Sequence, residues 1–303
     1  VILLDHRVTD QISTPRLRVV KYRGSAHGTN EYPFLLDDSG FSVLPITSLG
    51  LQHRASAERV SSGVARLDTM LGGGYFRGST VLVSGTPGSG KTSIAAHFVQ
   101  AACERGERCV FFAFEESPEQ LARNMGSIGM DLGRWRKRGL LRLESARPAV
   151  YGLETHLAFM HRTIGQFAPA AVIVDPITDF TDSLADNKAM LMRLIDFLKV
   201  EGITAVFTSL TSSGEHVEQS EAGVSSLIDT WIVLRSLERE ARRYRALCVL
   251  KSRGMPHSHD IREFRITPRG IDISEDQPGL SDPPAEARIR ERPGARAGKG
   301  AVR

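Results

Sequence analysis

Residues 85–92 read GTPGSGKT. The stretch fits G-x-x-x-x-G-K-[ST] and stands between an apolar run, STVLVS at 79–84, and a run with apolar residues at helical spacing, TSIAAHFVQAACERG at 92–106. Nothing else in the chain constrains the fold as tightly, because the loop works only with a strand entering it and a helix leaving it. Its glycines let main-chain N–H groups wrap a phosphate chain, and the helix N-terminus adds a favourable dipole. Thr86, Pro87, Gly88, Ser89, Gly90, Lys91 and Thr92 are the expected ATP-binding residues. Lys91 is expected to reach the β- and γ-phosphates, and the Thr92 hydroxyl to ligate Mg²⁺, so ATP and Mg²⁺ are the expected cofactors.

The alternation set by the loop continues downstream. RCVFFAF (108–114) reads as a strand, and SPEQLARNMGSIG (117–129) as a helix with Ser at the N-cap and Pro at N1. A strand near 140–144, a helix over 153–167, a buried strand AAVIVD (170–175), a helix over 188–202 and a strand TAVFTS (204–209) follow. After that TWIVLRS, YRALCVLKS, REFRIT and GIDI read as antiparallel strands. The expected fold is α/β: a mainly parallel central sheet flanked by helices, with antiparallel edge strands at the C-terminal end.

Ligands of such sheets sit at the C-terminal ends of the strands. Asp175 closes AAVIVD at such an end and is the expected second Mg²⁺ carboxylate. Glu115 and Glu116 follow CVFFAF, a strand expected to neighbour the phosphate-loop strand. Capping the next helix explains one acid but not two. Glu115 is the preferred general base and, with Thr92 and Asp175, a candidate Mg²⁺ ligand; Glu116 is its catalytic companion.

A signature also recurs. VKYRG at 20–24 and LKSRG at 250–254 share Lys-x-Arg-Gly; in both, a His follows six positions after the Lys (His27, His257) and a Phe thirteen after it (Phe34, Phe264). Both copies then enter a Gly-containing turn, DDSGFSVLP and TPRGIDI. Such an internal repeat implies two related units. Residues 1–50 are expected to be the last strands of an incomplete first unit, 51–62 a linker, 63–275 a complete second unit and 276–303 a disordered basic tail. The chain opens on Val1 rather than Met, which suggests a start further upstream.

The net charge of +4 suggests nucleic acid until it is located. Residues 286–303 carry six basic and two acidic side chains, so the other 285 residues are neutral overall. No apolar run approaches the roughly 18 residues of a membrane span, and the first residues do not read as a signal peptide. Cys103, Cys109 and Cys248 lack metal-ligand spacing and read as buried reduced thiols of a cytoplasmic protein.

Taken together, GTPGSGKT, FEES, VIVDP and the late KSRG resemble the KaiC family of RecA-like P-loop ATPases, circadian clock proteins and their bacterial and archaeal relatives. The resemblance covers about residues 7–273. It implies a RecA-like domain preceded by the end of a sister domain, assembled as a homohexameric ring. It further implies that Arg245, Lys251 and Arg253, with His257 near them, serve the neighbouring subunit's ATP, where cations offset transition-state charge. Lys21, Arg23 and His27 would serve the first domain's site in the same way. Members phosphorylate themselves on adjacent Ser and Thr before a strand reading Asp-Thr-apolar; here Ser225 and Ser226 precede Leu227, Ile228, Asp229 and Thr230, with Ser220 nearby. The implied activities are ATP hydrolysis and serine autophosphorylation, with Kai-type or other signalling proteins as partners. Residues 276–303 do not resemble the segment through which clock members couple to a stimulating partner.

Two other functions compete. A RecA/RadA-type DNA-dependent ATPase would bind DNA through loops after the last parallel strands, but 177–188 and 211–223 are acidic here and repel phosphate. A nucleotide-gated, non-enzymatic scaffold is the third reading, and the paired acids Glu115 and Glu116 weigh against it.

Overall fold

The computed structural model describes residues 1–9, 12–37, 40–43, 55–145, 153–178, 184–211, 226–239 and 242–275. Ser225, most of the two acidic segments, residues 51–54 of the expected linker and the whole 276–303 tail lie outside the described residues.

The phosphate loop follows β7 (Thr80–Gly85) and opens α2 (Lys91–Glu104). Then come β8 (Cys109–Ala113), α3 (Pro118–Gly126), α4 (Leu132–Lys137), β9 (Leu141–Ser145), α5 (Leu153–Phe167), β10 (Ala171–Asp175), α6 (Leu184–Val200) and β11 (Thr204–Leu210). The chain ends in β12 (Thr230–Arg239), β13 (Arg242–Ser252), β14 (Arg262–Thr267) and β15 (Gly270–Ile273). The sheet order is β15-β14-β13-β12-β7-β11-β10-β8-β9. From β9 to β12 the strands are parallel, and from β12 to β15 each pairing is antiparallel.

Alternate residues of each central strand face opposite layers, the period-two rule of a strand. Val81 and Val83 join α2, α3 and α4 on one face; Leu82, Phe112, Val174 and Phe207 join α5 and α6 on the other. Each such side chain contributes about 1.5–3 kcal/mol on full burial. Strands covered on both faces must be apolar throughout, which is why they read as unbroken hydrophobic runs.

The structure corrects one expected neighbour. The strand leading to Glu115 does not lie beside the phosphate-loop strand, since β11 and β10 stand between β7 and β8. The crossover through α2 skips two positions, which later parallel strands fill. Glu115 and Glu116 therefore arrive beside the end of β10, where Ala113 pairs with Asp175.

Short elements escaped the periodicity. β5 (Arg59–Val60) pairs with β6 (Tyr75–Phe76), and α1 (Ala65–Met70) is anchored by Asp68, whose carboxylate accepts from the Ser61 hydroxyl at 2.5 Å and from Ser62 N at 2.7 Å. Val60 and Ser62 are buried. The folded unit thus takes in residues 59–62 of the expected linker. Helix α4 is likewise new, and α6 begins four residues before the expected start at 188.

The N-terminal strands β1 (Ile2–Thr9), β2 (Ile12–Val19), β3 (Glu31–Asp37) and β4 (Gly40–Val43) form a separate antiparallel meander in chain order. Its register repeats in β12–β15 at a constant offset of 230 residues (251 minus 21). Ile2↔Val19 recurs as Ile232↔Val249, Arg16↔Pro33 as Ala246↔Glu263, and Phe34↔Val43 as Phe264↔Ile273. Gly40 and Gly270 hold the same turn with φ of 101° and 100°. The copies differ in what covers them: Ile232 is 0 % exposed in the core between the sheet and its helices, whereas Ile2 is 62 % exposed.

Candidate active site

Gly88 and Gly90 take φ of 72° and 107°, conformations that turn successive main-chain N–H groups inward and that side chains rarely tolerate. Lys91 is buried and donates to the carbonyls of Gly85 (2.9 Å) and Thr86 (3.0 Å), so its ammonium lies within the loop. The hydroxyls of Ser89 and Thr211 are buried beside the loop with no hydrogen-bond partner among the described residues. Thr211 is brought there by its N–H, which donates to Gly85 O at 3.2 Å.

Asp175, at the end of β10, is buried and accepts from the Thr208 hydroxyl on the intervening β11. Burial raises its pKa; hydrogen bonds from Thr208 and Thr92 and the charge of Lys91 oppose the rise, and the negative charge of Glu116 adds to it. Asp175 and Thr92, at the start of α2, thus meet at the C-terminal end of the parallel strands. Their oxygens, beside the phosphate loop, suit a hard divalent cation, which needs only one or two carboxylates when phosphate and water complete its shell.

Of the paired acids, Glu116 is held by the Asn124 side-chain amide, 3.1 Å to Oε1 and 3.2 Å to Oε2, while Glu115 is exposed. Neither caps α3. Ser117 and Gln120 form that cap reciprocally, Ser117 Oγ accepting from Gln120 N and Gln120 Oε1 from Ser117 N. Capping therefore explains neither glutamate. Asn124 and Thr208 were missed from the sequence; the spacing of Asn124 about two helix turns beyond the Ser117 cap, and the polar end of an otherwise apolar strand, were the available signals.

The four residues grouped as neighbour-directed are separated. Arg245, on β13 opposite Ser236, donates from Nε to Gly88 O at 3.2 Å, within its own chain's phosphate loop. Lys251 and Arg253 lie at the other end of β13. Lys251 Nζ donates to Ile228 O at 2.9 Å, and an Arg253 Nη donates to Ser226 O at 2.7 Å. Burial, and next the charge of Arg253, lower the pKa of Lys251. His257 follows, its ring against His259 at 4.7 Å and its buried Nε2 without a partner among the described residues.

Ser226 is exposed in the turn before Asp229. Asp229 accepts at 2.9 Å from both Thr80 N and the Thr80 hydroxyl, and pairs with Lys199 at 2.9 Å. Burial pushes its pKa up, but these bonds outweigh burial and hold it below the usual carboxylate range. Thr80 begins β7 and Gly85 ends it, so Ser226, Lys251 and Arg253 stand at the end of the sheet opposite the chain's own phosphate loop, about 17 Å of strand away. Lys21, Arg23 and His27 are exposed beyond β2, at the positions equivalent to Lys251 at the end of β13 and Arg253 and His257 after it.

A phosphate loop on a parallel sheet, a strand-end aspartate facing its threonine and an adjacent pair of glutamates define a RecA-like P-loop ATPase domain. The family model for the KaiC ATPase matches residues 60–278. The chain is 49 % identical over 280 residues to circadian clock protein KaiC2 of Synechocystis sp., covering 91 % of this chain and 49 % of the relative. It is 38 % identical over 263 residues to circadian clock oscillator protein KaiC of Synechococcus elongatus, covering 86 % and 50 %. The chain belongs to the KaiC family of ATPases, and spans about half the length of the curated relatives it matches.

Proposed function

We propose that the protein binds Mg-ATP, hydrolyses it, and transfers its γ-phosphoryl group to Ser225 or Ser226 of a neighbouring copy in a hexameric ring. One observation carries this reading. The serine turn and the Lys251/Arg253 pair lie together at one end of β7 and the phosphate loop at the other. A subunit's own ATP is out of reach of its own acceptor, so the acceptor and the two cations need another copy's phosphate.

In this mechanism Lys91 and the loop N–H groups bind the phosphates, and Thr92 and Asp175 would hold Mg²⁺. Bound there, Mg²⁺ would offset phosphate charge. Water or a seryl Oγ forms the new bond to the γ-phosphorus as the bond to the bridging oxygen breaks, and ADP leaves. Glu115 takes the nucleophile's proton, beside a Glu116 fixed by Asn124. Arg245 acts within its own subunit, on the loop it touches. The first meander is read as the end of a sister domain that would cover Ile2, Leu3 and Leu4, as the helices packed on the central sheet cover Ile232, Val233 and Leu234. Lys21, Arg23 and His27 would serve that domain's ring site.

Signalling of the circadian type, through Kai-type or other protein partners, is the role suggested by the relatives' names. Among the described residues no helix is long and apolar enough to cross a membrane, and the three cysteines are buried free thiols; we place the protein in the cytoplasm.

Subunit mixing tests the reading. A Lys91→Ala chain, unable to use ATP, is mixed with a Ser225→Ala/Ser226→Ala chain, unable to accept phosphate. Intact-mass measurement after incubation with Mg-ATP should find phosphate on the Lys91→Ala chain in mixed assemblies and on neither chain alone. Phosphate absent from the mixed assemblies, with hydrolysis intact in the wild type, would leave a plain ATPase.

A further inference from the structure

Lys251 and Arg253 make contacts that a role at a neighbour's phosphate does not require. Both reach into the main chain of the segment that carries the acceptor. Arg253 does so twice, its side chain donating to Ser226 O at 2.7 Å and its own N–H to Asp229 O at 2.8 Å. Lys251 takes Ile228 O at 2.9 Å, between those two points. On its other side the segment is bound to β7, with Asp229 N donating to Thr80 O at 3.0 Å and the Asp229 carboxylate held by Thr80 and Lys199. From residue 226 to 229 the main chain is thus gripped from both sides, and the exposed residue at its start is the acceptor Ser226.

A guanidinium carries five N–H donors in a rigid fork and an ammonium three. Lys251 Nζ and an Arg253 Nη each donate to a carbonyl of the acceptor segment, and either head group can hold more than one acceptor at a time. We propose that Lys251 and Arg253 are positioning residues for the acceptor: the side chains that meet the neighbour's γ-phosphate also hold the main chain of the serine that attacks it. The inference rests on the proposed transfer to Ser226. It separates the two nucleophiles. Water needs the phosphate and its cations but not the segment, whereas the seryl hydroxyl needs both.

The test is therefore a partition ratio: phosphate on Ser225 and Ser226 by mass spectrometry against phosphate released, in one sample of the assembled protein with Mg-ATP. Arg253→Lys keeps a cation near the phosphate and loses the fork. It should slow hydrolysis, yet lower serine phosphorylation about tenfold further, the scale of a small misplacement of a nucleophile. Lys199→Met removes the ion pair on Asp229, at the end of the sheet away from the chain's own phosphate loop; hydrolysis should stay within about twofold while phosphorylation falls about threefold or more. Equal loss of both reactions in Arg253→Lys, with an unchanged ratio in Lys199→Met, would overturn the inference and leave the two residues as phosphate cations alone. A wild-type chain that hydrolyses ATP and carries no phosphate on either serine removes the kinase reading itself, a result visible before any variant is made.

Discussion

His97 on α2 accepts the main-chain N–H of Ile271 on its Nε2 at 3.1 Å. That bond fixes the tautomer, so Nδ1 carries the proton and donates to Ser93 O at 2.7 Å. The phosphate-loop helix is thereby tied to the last strand of the C-terminal meander, and the tie exists only while the imidazole is neutral.

Stability should follow. Burial lowers the pKa of His97, opposed by its bond to Ser93, and burial pushes His161 down to about 4. Both native pKa values lie below the roughly 6.5 of an unfolded histidine, so the unfolded chain binds more protons as pH falls. Unfolding free energy should be level above about pH 6.5 and decline as pH drops from there toward 4. Urea unfolding at a series of pH values measures this, and His161→Phe should flatten part of the slope.

Gly270→Ala tests the same contact from its other side. A Cβ at Gly270, whose φ is 100°, would stand 2.5 Å from His97 Nε2. Steric conflict and a left-handed backbone act together, and we expect a loss of about 2 kcal/mol or more by thermal or urea unfolding. Loss of half a kcal/mol or less would mean that the hairpin shifts freely away from α2.

Asn124→Ala should leave the fold nearly intact and lower ATP hydrolysis by about tenfold, since a hydrogen bond to a charged group contributes about 1.5–3 kcal/mol and here orients Glu116. Steady-state phosphate release reads this directly. Undiminished turnover would show that Glu116 needs no orientation and would shift the chemistry wholly onto Glu115.

Asp229→Ala should destabilise the domain by about 3 kcal/mol, because it strands the largely buried Lys199 ammonium and two Thr80 donors. Lys199→Met/Asp229→Leu, which removes both charges, should recover much of that loss in the same melting experiment.

Arg245 and Lys251 should part in mixed assemblies. With Arg245 on its own Gly88 carbonyl, Arg245→Ala should impair nucleotide affinity in the subunit that carries it, and Lys251→Ala the activity of the subunit beside it. Affinity labelling with an ATP analogue in mixed assemblies distinguishes the two. Arg245→Ala subunits that bind normally while their neighbours fail would return Arg245 to the neighbour-directed group.

Much of this was legible in the chain because it is local. GTPGSGKT needs a strand before it and a helix after it, and the covered strands could only be unbroken apolar runs. Ser117-Pro118 announced the start of α3, and the Lys-x-Arg-Gly repeat announced two meanders whose registers match throughout. The order of strands was not legible, since it depends on which crossover skips which neighbour, and so Glu115 and Glu116 were set beside the wrong strand. Nor does spacing along β13 reveal that six residues carry the chain from its own phosphate loop at Arg245 to the opposite end of the sheet at Lys251. The sequence determined by itself which residues could bind phosphate, because that chemistry is written within eight consecutive positions. Only the tertiary structure decided which cations lie at which end of the sheet, because a strand runs its full height and its two ends meet different neighbours.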